Sequence, residues 1–512
     1  MLLSKNLSSL YDFSKASKKP SYRKLAGKFN TSIASICRKF KRIKSRSHIT
    51  GADFFESKAG QEWLGKLVIA AILVFGIVCN IGAERLALFF SLLAITAFAG
   101  LSSRSIGRAE EIVENAIEEY RVLHDGKIKK VASDIDIIIG ADETFFKSLT
   151  ILVAMELKSG FIFSEKIEND RKHTTWDRVA MPWLSCFKNT YCLVSDRAKA
   201  LIKLAEDSIK KISVPDLFHL MQDISKAIGN PIGVKIAAIN KMLDNSKTSL
   251  TSDKAKILNK TKNTLELAQK EYRKYYRKLS TSLHPFKILT SASHNTESSK
   301  GEMQSSIRKI EEIKSKLSIL DPKDGIGKAS RQIPNATAQI DIWWGIVNNS
   351  LAGTQLTDMQ KDWLTHLYLP CIYWQNQIEK TDSKEIKEMY TLSFHHSKEL
   401  LDKHHLTASM INNSDKKIWN NWANEMCGFF QRTSSAIEGR NGWLSQMHFC
   451  GRGLSEKRLK SQTTIHNYFL KRDDGTTACE RLSGIKPECL FEFILKSFNS
   501  LPDSRVKKLD SG

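Results

Sequence analysis

Two short apolar stretches of this sequence each lead into an aspartate. Residues 133–146 read SDIDIIIGADETFF and place Asp142 after a β-branched run, and residues 191–196 read YCLVSD and finish in Asp196. Divalent Mg²⁺ prefers hard oxygen ligands, and rigid elements hold such ligands in place. The two aspartates therefore predict a site for Mg²⁺ or Mn²⁺ at a sheet edge, where two strands end.

A third acidic residue lies far downstream between two arginines. Residues 432–442 read RTSSAIEGRNG, so that Glu438 is flanked by Arg432 and Arg440. A carboxylate among arginines suits a metal-binding acid beside the phosphates of a nucleic acid, and the arginines are then candidate DNA contacts. Two alternatives remain: Glu438 is a salt-bridged helix residue, or Glu425 is the third ligand.

Alternating and β-branched segments around the two aspartates predict the strands that must position them. The predicted elements are strands at 136–140, 150–157 and 161–165 with a tight turn at 158–160, a helix at 174–187, a strand at 191–195 and a helix at 197–210. Three antiparallel strands, a helix and a returning strand follow the order of a ribonuclease H-like core. The predicted fold class is thus an α/β core of this kind, a mixed sheet with flanking helices.

The remaining chain is predicted to be helical, with a large all-α insertion in the core and a helix-turn-helix at the N-terminus. The predicted regions are 1–50, basic and DNA-binding; 51–130, apolar and amphipathic helices; 131–214, the first part of the core; 215–425, the helical insertion; and 426–512, the second part of the core with the third acid and a basic helix.

The charge of the chain points to a polyanionic partner. The formal net charge is +23, and residues 1–50 carry thirteen Lys or Arg against a single acid. Within residues 19–43, two apolar helical faces flank the turn Asn30-Thr31-Ser32, which is a helix-turn-helix pattern. A generic basic helical pair is the alternative. The predicted contacts to double-stranded DNA lie on the second helix, at Arg38, Lys39, Lys41 and Arg42.

Two uncharged apolar runs raise the question of a membrane. Residues 67–79 and 86–101 are each shorter than the roughly 20 residues of a spanning helix, and Glu84 and Arg85 separate them. We therefore expect buried helices and no membrane, with a hairpin at 67–101 as the alternative. The nine cysteines form no C-x-x-C pair and no secretory leader is evident, which is typical of a reducing compartment such as the cytoplasm.

Several motifs together resemble a known family. RTSSAIEGRNG at 432–442, HNYFLKRDDGTTACERL at 466–482 and IKPECLFEFIL at 485–495 resemble the C-terminal signature of bacterial insertion-sequence transposases of the DDE type. GADETFF and LVSDRAKAL are similar to the two aspartate-bearing segments of the same group. The resemblance covers about residues 20–495 and is loosest in the helical middle.

The resemblance implies a mechanism and a set of roles. Asp142, Asp196 and Glu438 would form a triad that binds two Mg²⁺ ions, which activate a water or 3′-hydroxyl and stabilise the leaving oxygen at phosphorus. Asp216 and His219 lie where the group has a D-x-x-H-like pattern and would orient the substrate or the triad, although a lone His is often a core residue. The implied protein is a nucleoid-associated bacterial homodimer or higher oligomer without a small-molecule cofactor.

Two other functions remain open at this point. A membrane-anchored helix-turn-helix regulator would explain the charge and the apolar runs, but not the acids. A ribonuclease H-like nuclease without strand transfer would share the site and differ only in its products.

Overall fold

The computed structural model describes residues 10–15, 20–146, 149–245, 252–317, 326–411, 413–450 and 453–498. The predicted regions 1–50 and 426–512 extend beyond these ranges, so their outermost residues lie outside the described chain.

One five-stranded sheet lies at the centre of the molecule. Its strands are β1 Asp136–Phe146, β2 Leu149–Glu156, β3 Ile162–Glu168, β4 Asn189–Ser195 and β5 Ile212–Pro215. Their spatial order is β3-β2-β1-β4-β5; the pairs β1–β2 and β2–β3 are antiparallel, and the pairs β1–β4 and β4–β5 are parallel. The prediction of a mixed sheet with flanking helices is thereby confirmed.

Both faces of the sheet are covered, which explains why its central strands are continuously apolar. Ile138 and Val194 belong to one hydrophobic core, and Ile137, Ile139 and Leu193 belong to a second one on the opposite face. The alternation follows from the two-residue period of a strand.

Helices precede, interrupt and follow the strands. Before the sheet lie α1 Leu10–Lys15, α2 Tyr22–Lys28, α3 Ile33–Arg46, α4 Ala52–Glu56, α5 Lys58–Ala71, α6 Ala83–Leu92 and α7 Ser103–Val131. Between strands lie α8 His173–Leu184 and α9 Lys199–Lys203. After β5 follow α10 Leu217–Ile224, α11 Asn230–Asn245, α12 Ser252–Thr281, α13 Thr296–Lys316, α14 Ile326–Leu351, α15 Asp358–Trp363, α16 Leu369–Glu379, α17 Lys384–Lys403, α18 Thr407–Met410 and α19 Asn413–Gly428. The last helices are α20 Ser435–Cys450, α21 Glu456–Tyr468, α22 Ala478–Ser483 and α23 Leu490–Lys496.

Strand β1 is longer than predicted, and this corrects the position of Asp142. The expected strand ended at Gly140, whereas β1 continues to Phe146 because residues 141–146 remain paired with β2. The parallel pairing of β1 with β4 nevertheless stops at Gly140 and Val194. Asp142 thus lies inside a strand, just beyond the end of its parallel ladder.

The apolar segment before the sheet packs into the second core. Helix α5 continues through a π-helical stretch at Ile72–Val78, and Leu64, Val68 and Ile72 are fully buried in the core that also contains Ile137 and Ile139. By length and composition, Lys58–Val78 is the one helix in the described chain that is able to cross a membrane, and about half of it is buried within the protein.

The two N-terminal helices α2 and α3 are joined by a short turn. Asn30 has a φ of 45° in this turn, and the Ser32 side chain caps α3 by accepting from the backbone N–H of Ser35 at 3.1 Å. Leu25, Ala26 and Ile36 form a small core between the helices.

The helical region between β5 and α20 has its own dense aromatic core. Trp343, Trp363 and Trp374 are fully buried there, as expected if these tryptophans pack helices together. This core is continuous with the sheet face that carries Ile138 and Val194.

Candidate functional site

Three aspartates occupy equivalent positions at the carboxyl edge of the parallel strands. Gly140 of β1 pairs with Val194 of β4, and Val194 pairs with Val214 of β5. Two residues beyond these positions are Asp142 in β1, Asp196 after β4 and Asp216 after β5. Because neighbouring strands lie ~4.8 Å apart, the register brings the two predicted metal ligands together.

Helix α20 crosses the sheet face on which Asp142 lies. A Cβ at Gly140 would lie only 2.6 Å from Cδ1 of Ile437, so the glycine permits the close approach of the helix. One turn beyond Ile437, Nδ2 of Asn441 donates to Oδ2 of Asp142 at 2.8 Å. Glu438 precedes Asn441 by three residues, which places both on neighbouring positions of one helix face.

The carboxylates act on each other electrostatically. The pKa of Asp142 is raised to about 7, mainly by burial and also by the nearby charges of Glu438 and Asp196, while the backbone N–H of Glu143 and the side chain of His219 act in the opposite direction. Like charges at short range disfavour the ionised form of an acid. Asp196 and Glu438 therefore lie close enough to Asp142 for their charges to act on it.

His219 from α10 reaches the same site. Its Nε2 lies 3.3 Å from Oε1 of Glu438, and both side chains are partly exposed to solvent. A histidine beside a carboxylate at the mouth of an acidic site is able to position that carboxylate and to exchange a proton with it.

Asp216 has a different task from the other two aspartates. Its side chain is buried; Oδ1 accepts from the backbone N–H of Phe218 at 2.7 Å and caps α10, while Oδ2 accepts from both the backbone N–H and the hydroxyl of Ser434. Ser434 immediately precedes α20. Asp216 thus fastens the start of the helix that carries Glu438, a positioning role.

Asp196 lies at a strained turn. Its Oδ1 accepts from the backbone N–H of Ala198 at 2.8 Å, and the intervening Arg197 has a φ of 61°. A non-glycine residue in this left-handed region costs energy and is frequent at functional sites. The turn ends β4 abruptly, and the helix predicted from residue 197 begins only at Lys199.

Asn441 is a site residue that the sequence reasoning missed. It is more than nine-tenths buried, and its Oδ1 has no hydrogen-bond partner in the part of the chain that the structure describes. Its position one helical turn after Glu438, within the motif RTSSAIEGRNG, was the signal that would have identified it.

The two arginines beside Glu438 are not available as the DNA contacts that were predicted. Arg440 is buried and makes two hydrogen bonds to the carboxylate of Glu165 at 2.7 and 2.6 Å. Arg432 extends into the helical region, where its guanidinium donates to Nε2 of His284 at 3.0 Å and to Oε1 of Gln377 at 3.2 Å. Both hold α20 and its preceding segment in place.

On α3, the predicted DNA contacts differ in exposure. Arg38 and Lys41 are exposed and Arg42 is partly exposed, whereas Lys39 is only 7% exposed. The prediction that Lys39 contacts phosphates is therefore corrected, because its side chain lies on the helix face turned towards the protein.

Carboxylate oxygens are the type of donor that a divalent metal prefers. In the described ranges no three His, Cys, Asp or Glu side chains converge closely enough to count as a metal group. A cation would relieve the repulsion that raises the pKa of Asp142. The alternative ligand Glu425 is instead paired with Lys158 at 3.4 Å.

The family model that matches this chain is described as a family of unknown function (DUF6399) and covers residues 364–509. The match includes Glu438 and Asn441 but neither Asp142 nor Asp196. No curated relative matches the chain.

Proposed function

We propose that the protein is a DNA transposase of the DDE type with a ribonuclease H-like core. The observation that carries this proposal is that Asp142 and Asp196 follow equivalent positions of neighbouring parallel strands in a β3-β2-β1-β4-β5 sheet, while the charge of Glu438 acts on Asp142 from helix α20. This strand order, with three antiparallel strands followed by two parallel ones, is the order expected for such a core. The motif resemblance in residues 432–495 supports the same proposal.

In this proposal, Asp142, Asp196 and Glu438 hold two Mg²⁺ or Mn²⁺ ions. When bound, such ions would supply an activated oxygen nucleophile and would neutralise the charge that develops on the leaving oxygen of a phosphodiester. A nuclease that stops after cleavage would use the same residues, so strand transfer is the part of the proposal that needs a separate product analysis.

The protein groups around the ligands prepare the site. Asn441 holds one oxygen of Asp142 through its amide N–H and so fixes the direction of the other oxygen. His219 stands beside Glu438, and Asp216 anchors the helix start through Ser434. Each of these contacts limits the motion of a carboxylate before substrate arrives, which reduces the reorganisation needed for catalysis.

The N-terminal pair α2 and α3 is proposed as a helix-turn-helix that binds double-stranded DNA at the ends of the element. The exposed cations on α3 include Arg38, Lys41 and Lys44. We further propose that the protein acts on the bacterial nucleoid in the cytoplasm, and that at least two copies assemble, because two element ends must be brought together.

The test is a Mg²⁺-dependent cleavage assay on DNA that carries the ends flanking the gene. Asp142→Asn, Asp196→Asn and Glu438→Gln should each lower cleavage by at least about 10⁴-fold, since a lost metal ligand removes most of the charge stabilisation. Binding of the same DNA should be retained, because binding depends mainly on phosphate contacts elsewhere.

Glu425→Gln is the matched control. Glu425 is a half-exposed glutamate on the preceding helix whose partner is Lys158, and its loss should leave cleavage unchanged. Loss of cleavage in Glu425→Gln together with normal cleavage in Glu438→Gln would transfer the third ligand to Glu425. Normal cleavage by Asp142→Asn would overturn the metal site itself.

A separate assay tests the N-terminal helices. Replacing Arg38 and Lys41 by Ala should weaken binding and lower the salt dependence of the binding constant by about two units on a log–log plot, as each lost phosphate contact contributes about 0.9. An unchanged slope would remove the helix-turn-helix from the proposal.

A further inference from the structure

We propose that the solvent face of helix α12 is a second binding surface for duplex DNA, separate from the carboxylate site. This inference rests on the proposed function and extends it to the helical region between β5 and α20.

The surface is a stripe of five lysines on one face of the longest helix. α12 runs over Ser252–Thr281 and carries Lys256, Lys260, Lys270, Lys274 and Lys278. Successive members are separated by four or ten residues, so at 3.6 residues per turn all five fall within a sector of about 80°. All five are exposed.

The opposite face of the same helix is buried. Leu265, Tyr272 and Leu279, spaced at seven-residue intervals, are at most 5% exposed and belong to the core of the helical region. The five lysines, which we call the lysine stripe, therefore point directly away from the protein.

Most of the stripe is electrostatically uncompensated. Lys256 lies 3.7 Å from Asp253, but no ion pair joins Lys260, Lys270, Lys274 or Lys278 to an acid in the ranges that the structure describes. Lys274 lies over the ring of Tyr275 at 5.6 Å. Glu271 is an exposed acid at the margin of the stripe. Four exposed lysines against one marginal acid favour a polyanion as partner.

The length of the lysine stripe favours duplex DNA as the polyanion. The 22 residue steps from Lys256 to Lys278 span about 33 Å at 1.5 Å per residue, which is close to one turn of a DNA duplex, about 34 Å. A straight row of cations of this length meets the phosphate backbones of both strands in a rigid duplex that lies along it.

Helix α12 is attached near its C-terminal end to segments that neighbour the proposed active site. The hydroxyl of Tyr276 donates to the backbone carbonyl of Met221, two residues after His219, and the carbonyl of Ser280 accepts from Arg432 at 3.4 Å. The C-terminal end of α12 is thereby fixed to the elements that carry His219 and Glu438. The lysine stripe is therefore carried by a helix whose position relative to these elements is fixed by hydrogen bonds.

The experiment compares two quadruple variants of the full-length chain by the salt dependence of their binding to a 30-base-pair duplex. The first replaces Lys260, Lys270, Lys274 and Lys278 with Gln. The control replaces Lys58, Lys66, Lys127 and Lys130 with Gln; these are equally exposed but lie on helices of the other core. Both variants remove the same charge.

We expect the stripe variant to lower the slope of log K against log salt by about 3 to 4 units, because each phosphate contact contributes about 0.9. The control should retain the wild-type slope. The double variant Lys270→Gln/Lys274→Gln should lose about half as much, which guards against a folding defect in the quadruple variant.

Equal slopes for the wild type and the stripe variant would overturn the inference, and so would an equal loss in the control, because the effect would then be one of net charge. Displacement of the duplex by polyglutamate at equal charge concentration would also overturn it and indicate an acidic protein as partner. Cleavage is measured on the same samples to distinguish failure of this inference from failure of the proposed function. A wild type that binds the duplex with a steep salt dependence but never cleaves it contradicts only the proposed function.

Discussion

Two carboxylates, the partly buried Asp142 and the buried Glu165, lie in one row across the sheet and have opposite electrostatic surroundings. Asp142 of β1 pairs with Val153 of β2, and Val153 pairs with Glu165 of β3, so both acids project from the same face towards α20. Glu165 receives the guanidinium of Arg440 and the hydroxyl of Thr463 at 2.6 Å. Asp142 receives only a neutral amide from the same helix and faces two other acids.

The contrast separates a structural acid from a functional one. A buried charge that is paired and fully hydrogen-bonded contributes to the assembly of the fold, whereas a buried charge left among like charges costs stability. The protein provides an arginine at one end of the row and omits it at the other. Under the proposed function, the missing positive charge at Asp142 would be supplied by a bound metal ion.

The largest effect is expected from removing the arginine that pairs with Glu165. Arg440→Met should lower the free energy of unfolding by about 3 to 5 kcal/mol, because Glu165 is then left as an uncompensated buried charge. Urea denaturation measures this loss. The double variant Arg440→Met/Glu165→Gln should recover part of it. Arg171→Met, which removes a more exposed partner of Glu143, should cost less than about 1 kcal/mol.

Replacing Asp142, at the other end of the row, should raise the stability of the protein instead of lowering it. The pKa of Asp142 is raised to about 7 in the folded protein, so the unfolded chain releases its proton first and stability falls as the pH rises from about 4 to 7. Asp142→Asn lacks this penalty. In metal-free buffer it should stabilise the protein by up to about 4 kcal/mol at pH 8 and by little at pH 4.

Thermal or urea unfolding at several pH values tests this sign. Asp223→Asn is the control, since Asp223 is paired with Lys328 at 3.0 Å on the outer side of α10, and its effect should not grow with pH. A destabilising Asp142→Asn at pH 8 would contradict the interpretation of Asp142 as an uncompensated acid.

A smaller effect is expected from the amide that orients Asp142. Asn441→Ala should weaken Mn²⁺ binding about 10- to 100-fold, because residues that orient a metal ligand typically have effects of this size. Titration followed by electron paramagnetic resonance measures the affinity without any need for turnover. Gln446→Ala changes an exposed residue of the same helix and should leave the affinity unaltered.

The smallest effect is expected from Asp216, the aspartate that caps α10 and binds Ser434. Asp216→Asn loses acceptor capacity towards Phe218 or Ser434 and should cost about 1 to 3 kcal/mol of stability. Ser434→Ala retains the backbone N–H and should cost less. If Asp216→Asn instead left stability unchanged and reduced Mn²⁺ affinity as much as Asp196→Asn, Asp216 would be a metal ligand and its positioning role would be wrong.

Much of the sheet was predictable because its strands have strong local signals. The runs before Asp142 and Asp196 are β-branched and apolar, and Lys158-Ser159-Gly160 forms the tight turn that was expected, with Gly160 at a φ of 77°. The end of β1 was not predictable in the same way. Residues 143–146 are polar or aromatic and belong to the strand because β2 supplies their partners.

The arginines illustrate why sequence alone misassigned part of the site. Arg432, Arg440 and Lys39 are cationic residues near expected phosphates, and nothing in the local pattern distinguishes them from Arg38 or Lys41. Their partners are far away in sequence: Arg440 meets Glu165, and Arg432 meets His284. Only the folded chain decides which cations are already occupied.

The sequence by itself determined the types of chemistry available: apolar strand segments that lead into acids, a glutamate on a helix, and a strong excess of positive charge. The tertiary structure alone decided which of these acids share a site, because the strand register aligned Asp142, Asp196 and Asp216 and the packing of α20 on Gly140 added Glu438 and Asn441. Local propensity acts over a few residues, whereas electrostatic roles depend on neighbours hundreds of residues apart, and those neighbours exist only after folding.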